Sequence, residues 1–139
     1  MGPDKILVDT SAWILSFKRT GDPRLKDFLR PSIIAGIVST CSLIILELLQ
    51  GCRTEEERDS LKSKLESLDS LSFTVSAWEQ AYKLGFTLRR KGLAIPTTDL
   101  ILAALALENK CLLLHHDHHF EKIASCFPDL RTKYFKAKN

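Results

Sequence analysis

Residues 5–11 read KILVDTS, and residues 111–120 read CLLLHHDHHF. In both, a short aliphatic run of the kind that forms a strand buried on both faces leads to an aspartate, Asp9 directly after ILV and Asp117 after CLLLHH. Each aspartate is followed by a stretch with helical spacing. SAWILSFK puts Trp13, Ile14 and Phe17 on one face, and DHHFEKIASCF reads as a short helix. Strand, acid, helix, met twice, is what a parallel sheet built from β-α units produces, with its ligand site beyond the carboxyl ends of the strands.

The intervening chain fits this alternation. GDPRLKDFLR predicts a second helix, with Asp22 as N-cap and Pro23 as first residue. The segment Ile33 to Ser39 contains a second strand. Thr40 or Ser42 then caps the helix LIILELLQ, which stops at Gly51. TEEERDSLKSKLESLDSL predicts a helix capped by Thr54, with a leucine stripe at Leu61, Leu65 and Leu68. SFTV reads as a short strand, and Ser76 begins the helix AWEQAYKLGFTLRRKG, closed by Gly92. IPTTDLILAALALENK is a further helix capped by Thr97 or Thr98, and DLRTKYF a last strand. The expected architecture is therefore α/β: one domain over residues 1–139, with a central, mainly parallel sheet flanked by α-helices on both faces.

The totals agree. A chain of 139 residues, 45% hydrophobic and 27% charged, has the size and composition of one globular domain. A net charge of +3 permits a polyanionic partner without requiring one. The uncharged segment Ser32–Leu46 is shorter than the ~20 apolar residues a membrane-spanning helix needs, so no membrane association is expected. The four cysteines form no CxxC pair, and Asp9 interrupts the apolar run after Lys5, so no signal peptide is legible. A cytoplasmic location is the expectation.

Most acids here lie on plainly polar helix faces such as EEERD, but four do not. Asp9 and Asp117 end aliphatic strands. Glu47, in LIILELLQ, is the sole charge between Arg30 and Arg53, and Asp99, in TTDLILAALAL, precedes a long apolar helix. Burying a carboxylate among leucines is costly unless a cation or hydrogen-bond donors compensate, and no basic residue adjoins these four. Asp9 could instead cap the helix that follows it, and Asp99 could be a first-turn acid favoured by the helix dipole. Glu47 has no such alternative. Two acids at strand C-termini and two near helix starts can converge on one edge of the sheet, where oxygen-only ligation suits Mg²⁺ or Mn²⁺. The histidines His115, His116, His118 and His119 are poorly spaced for a zinc box and are expected at the surface, with His119 near a substrate.

These residues carry a resemblance. VDTSAWI around Asp9, ILELLQG around Glu47, IPTTDLILAALAL around Asp99 and LLLHHDHHFEKIA around Asp117 are similar, in this order and at these spacings, to the motifs of PIN-domain ribonucleases. The likeness is strongest to the VapC-type toxins of toxin–antitoxin pairs. It implies a Mg²⁺- or Mn²⁺-dependent endoribonuclease with Asp9, Glu47, Asp99 and Asp117 as its acidic quartet, and Ser11 and His119 as supporting or substrate-contacting groups. It also implies an RNA substrate, a homodimer and an antitoxin partner. One departure stands out: His115 replaces the threonine or serine that often precedes the last acid by two. The hydrogen bond that orients Asp117 is thereby put in question.

Arg89, Arg90 and Lys91, with Lys18 and Arg19, are candidate phosphate contacts, although each also suits a solvated helix end. The basic tail RTKYFKAKN is another candidate. Trp13, Phe17, Leu48, Leu49, Trp78 and Phe86 are more apolar bulk than so small a domain needs, and point to a protein partner. Two rival readings remain. A phosphatase of the haloacid-dehalogenase type would need a second aspartate where Ser11 stands, and a non-catalytic PIN-like domain would bind RNA or protein only.

Overall fold

The computed structural model describes residues 4–19 and 21–135; positions 136–139 of the basic tail lie outside them. Five short parallel strands form one sheet in the order β3-β2-β1-β4-β5: β1 (Ile6–Val8), β2 (Val38–Thr40), β3 (Asp69–Ser70), β4 (Leu112–His115) and β5 (Thr132–Tyr134). The helices are α1 (Thr10–Phe17), α2 (Pro23–Ile34), α3 (Ser42–Gln50), α4 (Glu55–Glu66), α5 (Val75–Arg90), α6 (Thr97–Asn109) and α7 (His118–Cys126).

Strand order decides where a site can form. From β1 the chain steps outward to β2 and β3, then returns past β1 to β4 and β5. Crossovers between parallel strands are right-handed, so this reversal sends α1–α4 to one face and α5–α7 to the other. The packing agrees: α3 touches α1 and α4, while α5, α6 and α7 pack on one another. The reversal lies between β1 and β4, paired in register Leu7↔Leu113 and Val8↔Leu114. Beyond their carboxyl ends the two connections part to opposite faces and leave a crevice.

The core is the pair of aliphatic strands and the helices laid on them. Leu7, Val8, Leu113 and Leu114 are fully buried, as is the run Leu102–Ala106 of α6, whose alanines let that helix approach the sheet closely. Leu65 of the predicted leucine stripe is buried, with Leu61 and Leu68 packed beside it. Asp22 and Thr54 cap α2 and α4 as expected, accepting from Arg24 N–H and Glu57 N–H.

Elsewhere local chemistry differs from the sequence reading. The second strand starts only at Val38, because α2 continues through Pro31 to Ile34, which is 87% exposed, and the chain then turns at Gly36 (φ +74°). Thr74 Oγ1 accepts from Ala77 N–H and starts α5 there rather than at Ser76, so SFTV is no strand and β3 lies earlier, at Asp69–Ser70. Neither Thr40 nor Ser42 caps α3, whose N-cap is Cys41 without a side-chain bond. Pro96 rather than Thr97 or Thr98 precedes α6. Gly92, in the left-handed region (φ +79°), ends α5 as predicted.

The apolar surplus divides. Trp13 and Leu48 are core and Leu49 is half-buried, whereas Phe17, Trp78 and Phe86 are exposed, joined by Ile14, Leu46 and Tyr82. No helix among the described residues is long and apolar enough to cross a membrane. Leu114 links the core to the crevice, so Leu114→Ala should cost about 2–5 kcal/mol in urea unfolding through the cavity it leaves, while Ile34→Ala should change stability little. Equal losses in the two variants would refute this assignment of the core.

Candidate active site

Three of the four singled-out acids are set by helix starts. Asp9 follows β1, is 95% buried and is the N-cap of α1, its Oδ2 accepting from Ser11 N–H (3.0 Å) and Ser11 Oγ–H (2.5 Å). Asp117 follows β4 and caps α7, its Oδ1 accepting from His119 N–H (3.0 Å). Asp99 stands in the first turn of α6. In each case free amide hydrogens and the helix dipole favour a negative charge. The capping and dipole roles weighed for Asp9 and Asp99 are thus real, and they coexist with convergence. Glu47 sits mid-helix in α3, as its leucine flanks predict, and accepts from Thr10 Oγ–H (2.9 Å).

Asp9 and Asp117 act on Asp99, and Asp9 on Glu47. Burial and the charges of Asp117 and Asp9 push Asp99 up to about 6, against which His119 acts. Burial raises Asp9 despite its bonds to Ser11, and raises Glu47, to which the charge of Asp9 adds. Among the described residues no lysine or arginine pairs with any of the four. The donors that hold them are hydroxyls, backbone amides and one imidazole. A site held by neutral donors keeps its negative charge, and that donor set fits a hard divalent cation with oxygen ligands.

The five-residue run HHDHH resolves into separate jobs, and only His118 is a surface group as expected. His115 is fully buried, its ring stacked on Tyr134 and tilted against Phe120. Its Nδ1 accepts from Asp117 N–H (3.2 Å), so the bond expected of a threonine or serine is made by this imidazole instead. Burial lowers its pKa below the ordinary histidine value, which leaves the ring neutral near pH 7. His116 donates its N–H to Ser11 Oγ (2.9 Å), tying the end of β4 to Asp9, and its Nδ1 bonds the Phe135 carbonyl. His119 Nδ1 lies 3.0 Å from Asp99 Oδ2 and 3.1 Å from Asp117 Oδ1, placing this residue between two of the acids. Asp117, His118 and His119 can bring one ligand atom each within 4.8 Å of one another, but His115 and His116 are turned to other bonds, so the run forms no histidine box.

Thr10 and Glu121 escaped the sequence reading. Thr10 was legible in principle, since its hydroxyl directly follows Asp9. Glu121 looked like any first-turn acid of a short helix.

Arg89, Arg90 and Lys91 are exposed at the end of α5, from which loop 91–96 leads to Asp99 in α6. No ion pair engages them among the described residues. Lys18 and Arg19 are exposed after α1.

A family model described as PIN domain matches residues 6–125. Ribonuclease VapC11 of Mycobacterium tuberculosis is 30% identical over 128 residues, covering 86% of this chain and 91% of the relative. Ribonuclease VapC51 of the same species is 31% identical over 124 residues, covering 87% and 86%. Among solved structures, that of VapBC2 from Rickettsia felis bound to a DNA fragment from their promoter superposes with a TM-score of 0.78 at 20% identity, over 94% of this chain and 98% of the other. VapBC-1 from nontypeable Haemophilus influenzae superposes with a TM-score of 0.69 at 22% identity, over 93% and 96%. At these identities the structural likeness is one of fold.

The raised carboxyl groups give a pH signature to the cation-free protein. Asp99 keeps its proton up to about pH 6 when folded, but only to its ordinary value near 3.8 when unfolded. The folded state is therefore favoured below that value, and the advantage is lost as pH rises through about 6. In EDTA, Asp99→Asn should be more stable than wild type by about 1–3 kcal/mol at pH 7–8, the gap closing toward pH 4. A gap that does not vary with pH in urea titrations would contradict this electrostatic account.

Proposed function

Because the chain belongs to the PIN-domain family, with VapC ribonucleases among its relatives, we propose that it is an endoribonuclease that hydrolyses RNA phosphodiester bonds and acts as the toxin of a toxin–antitoxin pair in the cytoplasm. The observation that carries this reading is the gathering of Asp9, Glu47, Asp99 and Asp117 at the β1/β4 switch point without a basic partner. In this reading they hold Mg²⁺ or Mn²⁺. A divalent cation there supplies activation of water and neutralisation of charge developing on the phosphate. Its charge would also draw the raised pKa values down, so that the acids are ionised at neutral pH.

The chain's own residues do the rest. Thr10 and Ser11 hold Glu47 and Asp9 with neutral hydroxyls, and Ser11 locks the ends of β1 and β4 together through His116 N–H. His119 Nδ1 faces the space between Asp99 and Asp117, from which it can approach a bound phosphate or hold a proton near it. Arg89, Arg90 and Lys91 supply phosphate contacts at the rim, where they offset the repulsion between RNA and the acids.

Two exposed apolar surfaces support a proteinaceous partner and self-association. Ile14, Phe17, Leu48 and Leu61 line a groove that also includes Glu47, so an antitoxin seated there would reach the acids. Trp78, Tyr82 and Phe86 form an exposed face on α5 suited to a homodimer contact. VapBC complexes among the fold neighbours support the antitoxin assignment.

Cleavage of a panel of structured and single-stranded RNAs should require Mg²⁺ or Mn²⁺ and stop in EDTA. Asp9→Asn or Asp99→Asn should slow it by more than about a hundredfold, given that losing a mere supporting partner of a metal ligand can cost that much. Cutting that persists in EDTA and in both variants would overturn the assignment, and tight RNA binding without cleavage in any metal would establish the binding-only alternative. Replacing Arg89 and Arg90 together by alanine should weaken RNA association and lower the salt-dependence exponent by about one per residue; an unchanged exponent would remove them from the RNA path.

A further inference from the structure

Around His115 the hydrogen bonds run in one direction only. A backbone amide can donate but never accept, so the bond from Asp117 N–H to His115 Nδ1 (3.2 Å) requires a bare lone pair on that nitrogen. The ring proton of the neutral imidazole then sits on Nε2, 3.0 Å from Glu121 Oε2, which accepts it. The same oxygen accepts from Thr132 Oγ–H at 2.6 Å, anchoring Glu121 to the edge strand β5. The ring itself cannot rotate away, being fully buried and held between Tyr134 and Phe120, with centroids 4.9 Å and 5.0 Å distant. The opposite tautomer would set an Nδ1–H against the Asp117 N–H and leave Glu121 facing a lone pair. It would lose both bonds.

We propose that Glu121 is a positioning residue: by fixing the Nε2–H tautomer of His115 it holds the Asp117 backbone, and with it the Asp117 carboxylate, in place for a divalent cation. This rests on the assignment of Asp117 as a metal ligand under the proposed function. The arrangement is that of an outer partner acting on a ligand through an imidazole, with the chain Thr132 to Glu121, His115 to Glu121 and Asp117 to His115 running from the sheet edge into the crevice. It also explains how a histidine serves where a hydroxyl residue is expected. A hydroxyl rotates to accept from an amide, whereas an imidazole does so only if something outside it fixes the tautomer.

The test combines ¹⁵N-detected NMR of the histidine rings with Mn²⁺ binding by calorimetry and RNA cleavage. Wild type should show the Nε2–H tautomer at His115 near neutral pH. Glu121→Gln, whose amide oxygen can still accept from Nε2–H and Thr132, should keep that tautomer and the metal affinity. Glu121→Ala should mix the tautomers and weaken Mn²⁺ binding about tenfold, with the cleavage rate recovering at saturating Mn²⁺. His115→Phe, which preserves the stacking and removes the acceptor, should weaken Mn²⁺ to the same degree.

An Nδ1–H or doubly protonated ring in wild type would overturn the proposal, a measurement that needs no variant to fold. So would a Glu121→Ala protein with wild-type tautomer and Mn²⁺ affinity. If Glu121→Ala does not fold, loss of tautomer or affinity in Glu121→Gln would equally count against the proposal. Wild type that binds Mn²⁺ but cleaves no RNA would sink the ribonuclease assignment alone, while wild type that binds no Mn²⁺ would sink both.

Discussion

Four carboxylates share one crevice, and the rest of the site is arranged around the cost of keeping them there. Two of them close strands that are neighbours in the sheet, so strand order alone brings Asp9 and Asp117 together. The fold meets part of the cost with partial charges: Asp9 and Asp117 cap α1 and α7, and Asp99 lies in the first turn of α6. Full positive charges are kept out. Among the described residues no lysine or arginine pairs with the four acids, and the bonds inside come from hydroxyls, amides and an imidazole. An arginine in the crevice would stabilise the apo protein and compete for the oxygens a cation needs. Asp99, held up to about 6 by burial first and by the charges of Asp117 and Asp9 second, shows how much of the cost is left in the cation-free protein.

The sequence made the quartet legible because burying an acid is improbable without a reason. An aspartate after ILV or just past CLLLHH and a glutamate inside LIILELLQ contradict their surroundings, and the contradiction is local enough to see. The strand–acid–helix repeat likewise revealed the parallel sheet. What stayed hidden depended on competition between neighbouring signals. Pro31 reads as a helix boundary, yet α2 passes through it to Ile34 and is closed by the turn at Gly36, since the turn chemistry of glycine outweighs the β-branched pair Ile33-Ile34. At SFTV the N-cap preference of Thr74 outweighs a strand pattern too short to hold.

The histidine run was the least legible stretch, for a geometric reason. His115 ends β4, and the backbone turns at Asp117 into α7, so adjacent residues leave the chain in unrelated directions. One ring goes into the core and another meets the Phe135 carbonyl, while His118 faces solvent and His119 stands between two acids. Nothing in a run of like residues announces that split. The pairing of His115 with Glu121 depends on the placement of the first turn of α7 beneath the end of the strand, which is tertiary information.

The same partition applies to the apolar surplus. Trp13 and Phe17 share one face of α1 and stack at 6.0 Å, yet one is core and the other exposed. Between α1 and α3 lies a groove in which Ile14 and Phe17 face Leu48 and Glu47. Apolar area beside a carboxylate of raised pKa is a poor arrangement for a protein that acts alone, since water must wet the acid and the neighbouring rings gain nothing from it. It suits a surface that is covered at some times and open at others. A partner seated on the apolar wall would lower the exposed area and, by the same contact, close one side of the crevice. Occupancy of the groove and access to Glu47 are therefore linked by geometry, without any change in the fold.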